Sequence, residues 1–370
     1  MTYLYYPLQS LRQGHWFKLI CGASFQHRTA VRSFVLAYTL AGVDCIDVAA
    51  DPAVVAAARD ALQVAQSLSQ AAQKRGFAGC SSQPLLMVSL NDGEDPHFRK
   101  AEFNPANCPA DCPRPCERVC PAEAIAFNED SCSGVIDRRC YGCGRCLPAC
   151  PSQLIFTRSY IYTPQAIAPL LLETGIDAIE IHTQVGHLAD FRRLWQAIAP
   201  WADKLILVAI SCPDGADLID YLRSLYQIIQ PLPCQLIWQA DGRPMSGDIG
   251  AGTTHATIKL AQKVIAAGLP GYVQLAGGTN NYTVSKLRSA GLLSQVAGVG
   301  YGSYARVLLS PIIDQLETRL EHNSDFSGRP RTVPPRLESL PELLWQAVAV
   351  AHSLVVQLKS PMKVLETSHL

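Results

Sequence analysis

Short apolar runs, most of them rich in β-branched residues, recur along the chain and alternate with longer stretches whose apolar positions follow a helical period. Runs of this length bounded by turn residues read as strands buried on both faces, and the stretches between them as helices covering those faces. The candidate strands are 18–22, 44–49, 85–90, 178–182, 205–210, 236–239, 271–275 and 296–300, with helices at 53–73, 188–198, 254–267, 304–319 and 340–358. Eight alternations over this length predict an α/β fold, a (β/α)8 barrel of the TIM type. An open doubly wound sheet is the alternative, because the pattern does not show closure.

The alternation stops after the third strand and resumes near residue 161. The pattern thus divides the chain into a first part of the barrel, 1–91, an insertion, 92–160, and the remainder of the barrel, 161–370. Turn residues Asp92-Gly93 and Asp95-Pro96 before the insertion and Pro164 after it supply entry and exit bends. An insertion at this place lies in a βα loop, on the face of a barrel where active sites are built.

Eight cysteines fill the insertion: Cys108, Cys112, Cys116 and Cys120 before Pro121, then Cys140, Cys143, Cys146 and Cys150 before Pro151. The second run has the C-x-x-C-x-x-C-x-x-x-C-P spacing of two-cluster bacterial ferredoxins, in which the cysteine before the proline serves the other cluster. The expected ligand sets are Cys108, Cys112, Cys116 and Cys150 for one iron–sulfur cluster and Cys120, Cys140, Cys143 and Cys146 for the second. The looser spacing of the first run fits either a 4Fe-4S or a 3Fe-4S cluster. Two four-cysteine zinc sites are the alternative, but zinc knuckles have no need of four cysteines in one tight run. Cys132 reads as a spare thiol.

Composition narrows the classes. With 48% apolar residues the chain can bury a large core, and 31 basic against 31 acidic residues give no single-signed field to attract nucleic acid. Neither a secretory signal nor a transmembrane span is legible. Of the fourteen cysteines, eight sit in metal-ligand spacing within a long chain, which points to a reducing, cytoplasmic setting.

Glycines follow the last two strands: Gly277 and Gly278, then Gly300 and Gly302. Loops seven and eight of such barrels commonly bind phosphate, so these four residues are a candidate site for flavin mononucleotide (FMN) or a phosphorylated metabolite; the plain reading is tight βα turns. Cys21, Asp47, Glu180, His182, Cys212 and Asp241 are expected at strand ends facing the barrel mouth, with Arg243 and Asp248 in the long loop 241–252. Cysteines 21, 45, 80, 212 and 234 also read as small core residues. No hydrolase elbow, zincin helix or Walker loop is present.

The runs 8–24 (LQSLRQGHWFKLICGAS) and 42–52 (GVDCIDVAADP), together with the cysteine cassette, resemble the cyanobacterial light-dependent period proteins over essentially the whole chain. The resemblance implies an iron–sulfur protein on a light or redox input route to the circadian clock. Its implied partners are Kai-type clock proteins and a sensor histidine kinase, with an electron donor or the quinone pool upstream. It carries over the cluster cysteines and no catalytic residue. An iron–sulfur oxidoreductase, with or without flavin, acting on a small phosphorylated or organic substrate is the alternative function.

Overall fold

A computed structural model describes residues 6–93, 98–120, 122–127, 133–159, 174–243, 249–321 and 336–359. The barrel strands are β1 (Trp16–Ile20), β2 (Cys45–Ala49) and β3 (Leu85–Asn91). The insertion then supplies β4 (Arg99–Glu102), β5 (Ile125–Phe127), β6 (Ser133–Val135) and β7 (Phe156–Ser159). The barrel resumes with β8 (Ala178–His182), β9 (Leu207–Pro213), β10 (Gln235–Asp241), β11 (Tyr272–Ala276) and β12 (Gly298–Tyr301). The eight barrel strands close in the order β1-β12-β11-β10-β9-β8-β3-β2, every pair parallel. Closure removes both sheet edges and settles the fold as the barrel rather than the open sheet.

Strand periodicity sorts side chains between lumen and outer shell. On β1, Phe17 and Leu19 join the large core under the helices, while Trp16 joins a separate core at the bottom of the lumen with Cys45, Met87, Leu207 and Ile237. Leu11, on the short helix Pro7–Arg12, plugs that end. The helix Arg28–Ala41 is sandwiched in the outer shell with 12 of its 14 residues buried, and ends on Gly42 at φ +100°, a left-handed turn that glycine adopts without strain. Its buried cation, Arg32, is held by Asp60 at 2.5 Å and by both oxygens of Glu338 at 2.8 and 2.6 Å. The helix Pro52–Gln73 is started by Asp51, whose carboxylate accepts the N–H groups of Ala53 and Val54. Among the described residues no helix is long and apolar enough to cross a membrane.

The insertion leaves the barrel after β3, which pairs directly with β8. A helix completing that third unit would fall outside the described residues, as do Pro121, Cys132 and Pro164. Within the insertion β4 pairs with β7 and β5 with β6, both antiparallel, around a small core in which Cys116, Cys140 and Cys146 pack against Ala101, Phe103 and Ile125. Tyr141 docks this unit on the barrel: its ring meets the edge of Phe25 at 6.0 Å, and the Arg306 guanidinium lies 4.5 Å over it. Arg139 pairs with Glu317 at 3.1 Å, and Lys100 reaches Gln26 at 2.8 Å.

The same contact carries a pH dependence. His27 faces Glu317 at 3.4 Å, but burial first, then Arg139 and Arg138, lower its pKa from 6.5 to about 4. The docked form therefore binds fewer protons than the undocked one between these values, so docking weakens as pH falls through that window. The loss is at most about 3 kcal/mol. Proteolysis between the insertion and the barrel is expected to speed up between pH 6.5 and 4 and to lose most of this dependence in His27→Gln; an unchanged profile in that variant would refute the assignment.

Candidate cluster sites and the barrel mouth

The two cysteine runs cross: Cys120 of the first run joins Cys140, Cys143 and Cys146 of the second, and Cys150 of the second lies near Cys108 and Cys116 of the first. Cys120, Cys140, Cys143 and Cys146 line one small cavity with Ala122, Ile125 and Val135. Backbone N–H groups of Ala101 and Ala124 donate to the sulfurs of Cys140 and Cys120 at 3.4 and 3.2 Å. Cys108 contacts Cys112 and feels Cys150, and the thiol of Cys116 feels both Cys150 and Cys108. Short helical turns make this crossing: Cys116 sits in Pro115–Arg118 and Cys146 opens Cys146–Ala149, so each run folds back before its last cysteine.

The chemistry of these groups asks for a cation. Burial pushes the thiols of Cys116, Cys140 and Cys143 up and Cys146 up to about 12, and neighbouring thiols add to the rise. Four such sulfurs become thiolates only where a positive centre compensates them. Among the described residues no three His, Cys, Asp or Glu side chains converge on one point as a single metal ion requires. The sulfurs of Cys120, Cys140, Cys143 and Cys146 instead line a small cavity, which fits a polynuclear iron–sulfur core better than zinc.

Below the insertion, the upper half of the barrel lumen is polar. Lys18, fully buried, donates to Glu180 and to Gln239 Oε1 at 3.0 Å and lies 3.2 Å from Asp47. Glu180 also accepts from Gln239 Nε2 at 2.6 Å and lies 2.9 Å from His182 Nε2. Gln274 Nε2 donates to Gln239 at 2.6 Å, and Ser89 to Asp47 at 2.8 Å. Above this floor opens a cavity of about 690 Å³, counted out to its mouth, bordered by Glu180, His182, Asp241, Arg243, Ser303 and Arg306.

Asp47, Glu180, His182 and Asp241 thus stand in the lumen, as strand periodicity expects. Cys21 and Cys212 do not: both point outward into the shell under the helices, where burial pushes their thiols up. Cys45 lies in the lower lumen core, Cys80 is buried and Cys234 half-buried. Asp248 falls outside the described residues. Lys18, Gln239 and Gln274 escape a motif search; their signal is a polar residue at the inward position of an otherwise apolar strand.

The glycines divide. Gly277, Gly278 and Gly302 border the cavity, whereas Gly300 lies one layer deeper, where an added Cβ would meet Gln274 and Ile20 at 3.1 Å. Gly277 and Gly278 hold φ of +65° and +89°, and a Cβ there would strike the Asp241 carboxylate and, at 2.7 Å, the Thr253 carbonyl. These two are required by the turn and by packing on the preceding loop. Gly278→Asp is therefore expected to lower stability by about 1–3 kcal/mol whatever it does to a ligand. A melting temperature equal to that of the original protein would contradict this.

Comparison with known proteins supports the iron–sulfur half of this picture. Residues 108–161 match the LdpA Fe-S cluster-binding domain, and residues 170–357 match the Light dependent period A C-terminal domain. Light dependent period A from Synechococcus elongatus is 49% identical over 359 residues, covering 96% of this chain and 94% of its own. A truncated form of 3-deoxy-D-arabino-heptulosonate 7-phosphate synthase from Thermotoga maritima aligns with 92% of this chain and 88% of its own, at 11% identity and a TM-score of 0.36. Matched in both of the family's domains and identical to a curated relative at nearly half of its positions, the chain belongs to the light dependent period A family.

Proposed function

We propose that the chain is a cytoplasmic iron–sulfur protein that senses cellular redox state on the light-dependent input route to the circadian clock. One cluster is held by Cys120, Cys140, Cys143 and Cys146, the other by Cys108, Cys112, Cys116 and Cys150. The observation that carries the reading is the crossing of the two cysteine runs, with Cys120 of the first lining one cavity with Cys140, Cys143 and Cys146 of the second. A bound cluster supplies reversible one-electron storage. The residues around it exclude water and donate N–H groups to sulfur, which sets how readily the site accepts an electron. Lacking a recognisable output domain, the protein passes its state to partners, namely Kai-type clock proteins and a sensor histidine kinase, and takes electrons from an electron donor or the quinone pool.

The test is anaerobic purification with iron and sulfide counted, followed by binding of each partner to the oxidised and the dithionite-reduced protein. Two clusters per chain and a several-fold difference in partner affinity are expected. Absence of iron, or affinities indifferent to reduction, would refute the reading. An oxidoreductase is the second reading, favoured by the polar lumen beneath the clusters; flavin bands in the visible spectrum of the same preparation would support FMN and this alternative.

A further inference from the structure

We infer that the barrel mouth binds a small organic phosphate and that Arg306 couples its occupancy to the neighbouring cysteine site. The lumen is asymmetric. Its lower half is filled by Trp16, Met87, Leu207 and Ile237, whereas its upper half carries Lys18, Asp47, Glu180, His182 and Gln239 in one buried network. A barrel that served only as a scaffold is filled with branched apolar side chains throughout. Burying several charges beneath an open cavity is costly, and such clusters mark binding and catalytic sites. The cavity opens at the barrel mouth, where a small metabolite can reach this polar floor.

One wall of this cavity is built for an anion. The long helix Ser303–Glu321 begins there, and its first described N–H bond outside the ladder runs from Arg306 to Gly302, so the N–H groups of Ser303 and Tyr304 lie ahead of any intrahelical partner. Independently, Arg306 is 5% exposed, and its guanidinium makes two hydrogen bonds, to Ile20 O at 2.9 Å and Ser303 Oγ at 3.2 Å. Its Nε is buried without a partner. Gly22 and Gly302 flank it, leaving room beside Nη1. Arg243 adds a second guanidinium on the cavity lining. Two guanidinium groups beside a helix start suit a phosphate, and the Glu180–His182 floor offers hydrogen bonds to hydroxyl groups of its organic part.

Arg306 faces two ways. The same guanidinium lies over the ring of Tyr141, which stands between Cys140 and Cys143 in the sequence and lines their cavity. An anion bound at Arg306 offsets its positive charge, which disfavours adding an electron to a centre held by those thiolates. The coupling is reciprocal, so the oxidised protein binds the anion more tightly. This half rests on the cluster assignment proposed above; the binding half does not.

The experiment titrates the anaerobic, cluster-loaded protein calorimetrically with ribose 5-phosphate, FMN, inorganic phosphate and malonate. An organic phosphate is expected to bind below millimolar concentration and more tightly than inorganic phosphate. Arg306→Gln should weaken it about tenfold or more, Arg306→Lys less, and Arg243→Gln should also weaken it, with circular dichroism and iron content unchanged. Should Arg306→Gln not fold, Arg243→Gln and Ser303→Ala carry the test. Dithionite reduction should weaken binding about threefold, equivalent to a midpoint about 30 mV lower with ligand for one electron. Tyr141→Leu should keep the affinity and lose that difference.

Binding of malonate alone, no binding of either organic phosphate at millimolar concentration, or full affinity in folded Arg306→Gln would overturn the site. Equal affinity in both redox states would overturn the coupling. A chain that binds the phosphate yet contains no iron would leave the site standing and remove the redox reading.

Discussion

Replacing Lys359 by methionine is expected to destabilise the protein by about 3–5 kcal/mol, because it strands a carboxylate at the closed end of the barrel. Asp44 and Lys359 are both fully buried, and Nζ reaches the two carboxylate oxygens at 2.7 and 2.6 Å. Ser10 and the Phe17 N–H also donate to Asp44, so one carboxylate ties together the N-terminal helix, β1 and the last helix, Pro341–Lys359. Even with its partner, burial pushes the Asp44 carboxyl up to about 6. Without Lys359 it must take a proton at neutral pH or remain an uncompensated buried charge. The double variant Asp44→Leu/Lys359→Met should recover much of the loss, since an ion pair replaced by apolar groups removes both desolvation costs. Thermal and urea unfolding of the three proteins measure this. A single variant within about 1 kcal/mol of the original would show that the pair contributes little to holding the last helix.

Much of the barrel is legible in the sequence because strands buried on both faces are short, continuous apolar runs, and because helices such as Leu188–Ile198 keep a polar face toward water. The helix Arg28–Ala41 is not legible in that way. Packed between two other helices, it has almost no exposed face, and its period is hidden. Register shifts of two residues, as at β1, come from helix and strand ends being set by tertiary hydrogen bonds such as Trp16 N–H to the Ala297 carbonyl.

The iron–sulfur cassette is legible because ligand spacing is local. The docking of the insertion is not, because Phe25, Tyr141 and Arg306 meet from three distant parts of the chain. Likewise Cys21 and Cys212 read as mouth residues until the pleat is fixed. One step along a strand turns a side chain from the lumen to the outer shell, and only the pairing register decides which. The polar floor around Lys18 became visible by that same register, since Lys18 pairs at the level of Cys45 while Glu180 pairs at the level of Ser89.

The site with Cys108, Cys112, Cys116 and Cys150 is expected to lose iron to oxygen before the other. Three of its four thiols, Cys108, Cys112 and Cys150, are half-buried, and Cys108 and Cys112 lie in loop around the single turn Pro105–Asn107. The other set has Cys140 and Cys146 buried, packed in the insertion's own core, with Tyr141 between Cys140 and Cys143 sealed against Phe25. Access of oxidant and water governs cluster loss, and the stretched first run is the less protected. Brief air exposure of the anaerobic protein should give a three-iron signal by electron paramagnetic resonance. That signal should disappear in Cys112→Ser, which removes a ligand of the exposed site, and persist in Cys143→Ser, which disables the sealed one. A signal that vanished only in Cys143→Ser would reverse the order of the two sites and the reading of exposure on which it rests.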